Sequence, residues 1–520
     1  MPPKKSPQRS RSKSAPQLSP VEQQKLNTLL AKLHEAVNGG HAPQALPKLL
    51  ELKKKYPSNI NVLVLLGRAY LAVRQLPDSL AAYRKAASLQ PDQPEINFQY
   101  GLALENAGDL EHALDRFRRT LDRVPNHFYA MRHMSSVLVG LERKDEAYAV
   151  YLQLVEEFKD KELDQEQRNA LAITASGFAP EHISAEQAID GLEAHIGDTN
   201  EPDLLRAGYA QLGRLHRQLK HHDEAIDYFE KCKQIDKDEW DADAHSAHTD
   251  RLVACWEEGC NIPSTKLKNI DGSRLIFIVG MPRSGTSLTE QMLAQVDTIT
   301  PGGEMNAVDS QLPKGERIAQ KYGTHWPTIR SLYNQQTIDT MAKNAYKEFN
   351  RVARKGAITD KQPYNYALVP LISRMFPGAK FIHTNRDPLD CCFSNYTTAF
   401  TQMHMHTHDQ YWLGRYYADY ERIMRAWADL PEVSMIDLHY EELVADPEGQ
   451  MRRVLDFIGH EWTDRILSFH ESDRTVKTAS RHQVTKPLYT SSVKKYVAYE
   501  HRLGELKRGI EEGRSRPTNT

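Results

Sequence analysis

Residues 275–295 read LIFIVGMPRSGTSLTEQMLAQ, and the rest of the chain is organised around them. Leu275 to Val279 is an apolar, partly β-branched run, which reads as a buried strand. Gly280 and Gly285 bracket a tight loop. From Ser287 the spacing is helical, with Leu288, Met292 and Leu293 on one face. Strand, glycine loop and helix start, in that order, make an anion cradle: backbone N–H groups point at the ligand and the helix dipole favours negative charge.

The general pattern for such a cradle is the nucleoside-triphosphate loop, G-x-x-x-x-G-K-[ST]. The spacing of Gly280 and Gly285 fits it, but Thr286 stands where the lysine belongs. The positive charge, Arg283, sits inside the loop instead. This argues against an ATPase or kinase and for a different phosphoanion.

The stretch resembles the 5′-phosphosulfate loop of the sulfotransferase family, P-R-S-G-T-[ST]. The resemblance implies 3′-phosphoadenosine 5′-phosphosulfate (PAPS) as donor, held at this end by Arg283, Ser284, Gly285, Thr286 and Ser287. Further stretches carry it in family order. Gly302-Gly303-Glu304 is similar to the tyrosylprotein sulfotransferase motif whose glutamate is the base, which implies that role for Glu304. A base is needed because a protonated acceptor hydroxyl is a poor nucleophile. Asp360-Lys361-Gln362-Pro363 resembles the D-K-x-P site. Lys361 is then the cation on the bridging oxygen, where charge develops as the donor leaves. Arg386 and Ser394, in R-D-P-x-D-x-x-x-S, imply a grip on the 3′-phosphate, an arginine fork plus a hydroxyl. The alternative is that Asp387 neutralises Arg386 structurally. Tyr440 resembles the tyrosine of Y-E-x-L, a nucleotide contact; a buried packing tyrosine is the alternative. Thr478, Ser480 and Lys486 lie in a stretch similar to the family's terminal segment over the nucleotide. No metal is required by this set. The run Met403 to His408 holds alternate histidines without a carboxylate cluster and reads as a solvated loop.

The amino-terminal half repeats itself. Pro57, Pro91 and Pro125 are 34 residues apart, and Leu49, Tyr83, Phe117 and Tyr151 recur in step. A 34-residue period with Leu66-Gly67 and Tyr70 in phase is the tetratricopeptide signature. A further unit appears at Leu212-Gly213 and Ala225. The fold expected is therefore an α-helical tetratricopeptide solenoid followed by an α/β P-loop-like domain with a central parallel sheet. The expected boundaries are a disordered basic tail over 1–20, the repeat domain over 21–245, a linker over 246–273, the sulfotransferase domain over 274–505 and a polar tail over 506–520. Such solenoids present a concave surface, which suits a protein partner; scaffolding or a homodimer is the alternative.

A chain of 520 residues with net charge −2 carries no overall footprint for a nucleic-acid partner. Mean hydropathy is −0.62, and no apolar run reaches membrane-spanning length. The first twenty residues lack an apolar core, so they do not read as a secretory signal. Cys232, Cys255, Cys260, Cys391 and Cys392 are then expected as reduced thiols in a cytoplasm. The reading is a PAPS-dependent sulfotransferase acting on an acceptor hydroxyl, with protein tyrosine, carbohydrate and small molecules all open as acceptors. The rival of another class is a tetratricopeptide adaptor with an inactive nucleotide-binding domain.

Overall fold

A computed structural model describes residues 19–517 except 74, 236–239, 258–260, 314–331, 401 and 472–491; for 402 and 403 it describes the backbone alone. The chain divides into two compact units, 1–199 and 200–520.

The first unit is a run of antiparallel helix pairs. Ile60–Ala72 pairs with Leu76–Leu89, and Pro94–Asn106 with Leu110–Arg123. The 34-residue period has a packing cause. Tyr83 and Phe117, both fully buried, lie against Gly67 and Gly101 of the preceding helix. A Cβ on Gly101 would stand 2.6 Å from the Phe117 ring, so a small residue is required there. Pro57, Pro91 and Pro125 follow helices that end at Lys55, Leu89 and Arg123, as a residue without an N–H dictates.

The second unit opens with one more hairpin of the same kind, Pro202–Gln218 and His222–Gln234. Gly213 and Phe229 repeat the glycine–aromatic contact at the same spacing. The stretch expected to be a linker is helical at its start, because Ala242–Glu257 forms one helix with Leu252, Val253 and Trp256 buried. His245 and Ser246 of that helix bond Asp419 at 2.7 and 2.8 Å.

The sheet has five parallel strands: β1 (Leu275–Val279), β2 (Ile299–Pro301), β3 (Ala357–Asp360), β4 (Lys380–Asn385) and β5 (Ser434–His439). Their order is β2-β3-β1-β4-β5. All five residues of β1 are buried, which is why its sequence is a continuous apolar run rather than an alternating one. The chain leaves β1 toward β2 and β3, then crosses to β4, so the crevice outside the carboxyl end of β1 is the switch point where such sheets bind ligands.

Pro370 is the second residue of the helix Val369–Met375, where its missing N–H costs no hydrogen bond. Two local expectations give way. The polar tail expected from 506 is the helix Gly504–Ser515, with Leu506 and Ile510 buried against Gln410–Ala428. The histidine run is a 3-10 segment, Gln402–His408, rather than a solvated loop. His406 and His408 are buried, and the His406 ring stacks on Tyr416 at 3.7 Å. Among the described residues no helix is long and apolar enough to cross a membrane, and no group of three or more His, Cys, Asp or Glu could hold a metal ion.

Candidate functional site

The loop after β1 is shaped by backbone that few residues adopt. Gly280 has φ +149°, and a Cβ there would stand 2.4 Å from the Thr384 carbonyl oxygen of β4. Arg283 has φ +69°, a left-handed conformation that costs a branched or long side chain free energy unless its surroundings hold it. They do so from three directions. Arg386 Nη1 donates to the Arg283 carbonyl at 3.1 Å, Arg283 Nε donates to Ser394 Oγ at 3.1 Å, and Asn395 Nδ2 donates to the Pro282 carbonyl at 2.7 Å. Ser284 Oγ meets Thr384 Oγ1 at 2.7 Å. Gly285 precedes the helix Thr286–Leu293 and supplies no side-chain cap, so no protein oxygen from that position competes for its amino end.

Arg386 ends up at the centre. It is 8% exposed, its second terminal nitrogen donates to the Ser492 carbonyl at 2.6 Å, and its buried Nε has no partner among the described residues. A buried unpaired guanidinium N–H is costly unless a ligand accepts from it. The Tyr440 ring lies 4.8 Å below the guanidinium and also touches the position of Gly285. Asp387 does not neutralise Arg386. Its side chain accepts from Asp390 N as the cap of Pro388–Tyr396, and the nearer carboxylate is Asp390, at 3.9 Å.

The second cluster lies one strand away. β3 is the direct neighbour of β1, and Gly280 N donates to the Pro363 carbonyl at 3.3 Å, which joins the two loops. Lys361 follows β3 and is 1% exposed; its Nζ donates to Glu304 Oε1 at 2.6 Å. Glu304 is presented by a loop pinned to β3, where Gly302 N donates to the Thr359 carbonyl at 3.0 Å. Two buried carboxylates hold the residues on either side. Glu290 accepts from Gly303 N at 2.9 Å, and Asp360 accepts from Met305 N at 3.3 Å. Glu290 belongs to the same helix as Thr286 and Ser287, so one element positions both clusters. Burial pushes the Asp360 carboxyl up to about 8, against the pull of its N–H donors. Tyr364 bonds His404 Nδ1 at 2.5 Å, and burial, with Tyr416 and Glu304 adding to it, raises its phenol well above the ordinary value.

The structure thus brings Arg283, Ser284, Gly285, Thr286, Ser287, Arg386, Ser394 and Tyr440 to one cradle, and Glu304 and Lys361 to its flank. Thr478, Ser480 and Lys486 lie outside the described residues. Sequence reading missed Glu290 and gave Asp360 no part beyond its place in the D-K-x-P motif, because the bonds by which both hold the Glu304 loop exist only after folding. The ammonium of Lys495 is held below its usual range first by partial desolvation and then by Arg217, Arg386 and Arg283.

A sulfotransferase-family model matches residues 275–464, and tetratricopeptide models match 30–94, 64–128, 98–162 and 207–239. An uncharacterized protein of Aquifex aeolicus is 30% identical over 437 residues, covering 81% of this chain and 55% of that protein. Protein-tyrosine sulfotransferase A of Caenorhabditis elegans is 25% identical over 252 residues, 45% of this chain and 64% of that one. Protein-tyrosine sulfotransferase 1 of Danio rerio is 26% identical over 271 residues, 47% and 72%. The chain therefore spans 55% of the first relative and 64% of the second, under two thirds of either. It carries tetratricopeptide repeats followed by a domain of the sulfotransferase family, with weak homology to protein-tyrosine sulfotransferases.

Proposed function

We propose that the protein transfers a sulfuryl group from PAPS to an acceptor hydroxyl. The observation that carries this is the continuity of the two clusters. Arg386 bonds the backbone of Arg283, and the loop that starts at Gly280 bonds the segment that carries Lys361. One nucleotide can then meet an arginine fork at one end and a glycine cradle at the other. The Nε of Arg386, without a partner among the described residues, and the helix start without a side-chain cap both suit phosphate oxygens.

In this reading the 3′-phosphate takes Arg386 and Ser394, and the 5′-phosphosulfate takes the loop from Arg283 to Ser287. Tyr440 packs beside them, and Thr478, Ser480 and Lys486 add donor contacts. The acceptor oxygen attacks sulfur in line. Its proton passes to Glu304, the new S–O bond forms, and the bond from sulfur to the bridging oxygen breaks. The electron pair stays on that oxygen, where Lys361 stabilises it, and adenosine 3′,5′-bisphosphate leaves. Glu304 is the more open partner of the pair, with 44% of its side chain exposed, which suits the side from which an acceptor arrives.

The related protein-tyrosine sulfotransferases support a protein or peptide tyrosine as acceptor, and in this reading the repeats help to bind it. Incubation with sulfur-labelled PAPS and a cell lysate, followed by separation of labelled products by size, tests this. Label in macromolecules that is released with tyrosine sulfate supports the reading. Label confined to carbohydrate or small molecules transfers the proposal to those acceptors, and no label at all overturns it.

A further inference from the structure

The helix His222–Gln234, second of the hairpin matched as a tetratricopeptide repeat, buries Ile226 and Phe229 along one stripe. The next position on that stripe holds a charge, Lys233, where an apolar residue belongs. Lys233 is 4% exposed. Taking an ammonium out of water is costly unless its hydrogens find acceptors. Its Nζ donates to the Thr398 carbonyl at 2.7 Å and to Thr407 Oγ1 at 3.2 Å, and the Phe400 ring centre lies 5.8 Å away. No carboxylate among the described residues bonds it. Desolvation accordingly lowers the ammonium to about 8. A charge met only by neutral acceptors adds little stability over an apolar side chain of the same size, so its contribution is the placement of what it holds.

The two bonds lead to the donor site by separate routes. Thr398 follows the helix Pro388–Tyr396, and its Oγ1 donates back to the Ser394 carbonyl at 2.7 Å. Anchoring Thr398 therefore fixes the turn from which Ser394 Oγ accepts from Arg283 Nε at 3.1 Å. On the other route, Thr407 Oγ1 donates to the His404 carbonyl at 2.8 Å, and His404 Nδ1 bonds the Tyr364 hydroxyl. Tyr364 follows Pro363, whose carbonyl accepts from Gly280 N. One ammonium from the repeat hairpin thus ties down both segments that meet the phosphate loop, one at Arg283 and one at Gly280. We propose that Lys233 is a positioning residue, supplied by the last tetratricopeptide hairpin, that sets Ser394 against the 3′-phosphate of the donor. It acts through Thr398 and does not touch the nucleotide. The inference rests on the donor reading above and adds to it that the last repeat is part of the nucleotide site rather than a detachable adaptor.

Calorimetric titration of the full chain with adenosine 3′,5′-bisphosphate and with adenosine 5′-monophosphate tests it. Lys233→Met fills the same space without the donor hydrogens. It should weaken the bisphosphate about tenfold, the size of the one charge-assisted hydrogen bond that Ser394 supplies, and leave the monophosphate unchanged. In a Ser394→Ala background Lys233→Met should cost nothing further, because both changes remove the same contact. Should Lys233→Met fail to fold, Thr398→Val removes the hydroxyl bonded to Ser394 at nearly constant shape, and the same single and double losses are expected of it. Unchanged bisphosphate affinity, equal loss of both nucleotides, or losses that add in the double variant overturn the role of Lys233, while a weakened Arg386→Gln variant leaves the donor reading standing. A wild-type chain that binds the bisphosphate no better than the monophosphate, with Arg386→Gln indifferent to both, overturns the donor reading and the inference together.

Discussion

Lys361 Nζ donates to Glu304 Oε1 at 2.6 Å, from a side chain 1% exposed to one 44% exposed. The pair is lopsided: the ammonium is enclosed and the carboxylate faces the open side. On the proposed mechanism the enclosed member meets the leaving oxygen and the open member meets the acceptor. Lys361→Met, which fills the same space without charge, should keep the fold and lower kcat by about 100- to 1,000-fold, as loss of a transition-state charge partner does. Single-turnover kinetics with saturating donor checks it. An unchanged rate would remove Lys361 from the mechanism.

Glu290 acts at one remove, by holding Gly303 N and Thr359 Oγ1, each at 2.9 Å. Glu290→Ala should lower kcat about tenfold or more while leaving the donor KM nearly unchanged, because misplacing Glu304 affects the reacting geometry and not nucleotide binding. Glu290→Gln retains an acceptor oxygen and should recover much of the loss. A purely structural role would instead lower the melting temperature of both variants in step with activity.

Gly280→Ala places a Cβ 2.4 Å from a β4 carbonyl at a φ of +149°. Thr384 is in register with Leu438 of β5, so its backbone oxygen cannot step aside without disturbing the β4–β5 pairing. The variant should lose nucleotide binding and melt earlier, with a cost of about 1–3 kcal/mol from overpacking alone. Calorimetry and thermal denaturation read the two effects separately.

Asp360 makes stability depend on pH. Burial pushes its carboxyl up to about 8 in the folded chain from its ordinary value of 3.8 when unfolded, so between these values the native state binds more protons. Stability from this group is therefore fully present below about pH 4 and is lost as pH rises through about 8. Asp360→Asn should flatten that decline in melting temperature between pH 5 and about 8. An unaltered slope would show that Asp360 is charged when folded.

The cradle was legible because its residues lie close together in sequence. Strand, glycine spacing and the arginine in the loop all fall between Leu275 and Leu293, and a buried parallel strand must be apolar throughout. The repeats were legible for the same reason, since a glycine in one helix answers an aromatic sixteen residues on, as Gly101 answers Phe117. What stayed hidden depends on distant partners. Glu290 looks like any helical glutamate until Gly303 folds onto it. His406 looks solvated until Tyr416, ten residues on, stacks against it. Leu506 and Ile510 sit in a polar-looking tail, yet four residues apart they share a face that packs on Gln410–Ala428.

The most direct measurement is transfer of labelled sulfuryl from PAPS by the Glu304→Gln variant beside the wild type, with adenosine 3′,5′-bisphosphate binding measured on the same preparations. Wild type should release bisphosphate in step with labelled acceptor. The variant should bind bisphosphate normally and transfer about 100- to 10,000-fold more slowly. A variant that transfers at the wild-type rate, or a wild type that binds the nucleotide and transfers nothing, would contradict the account.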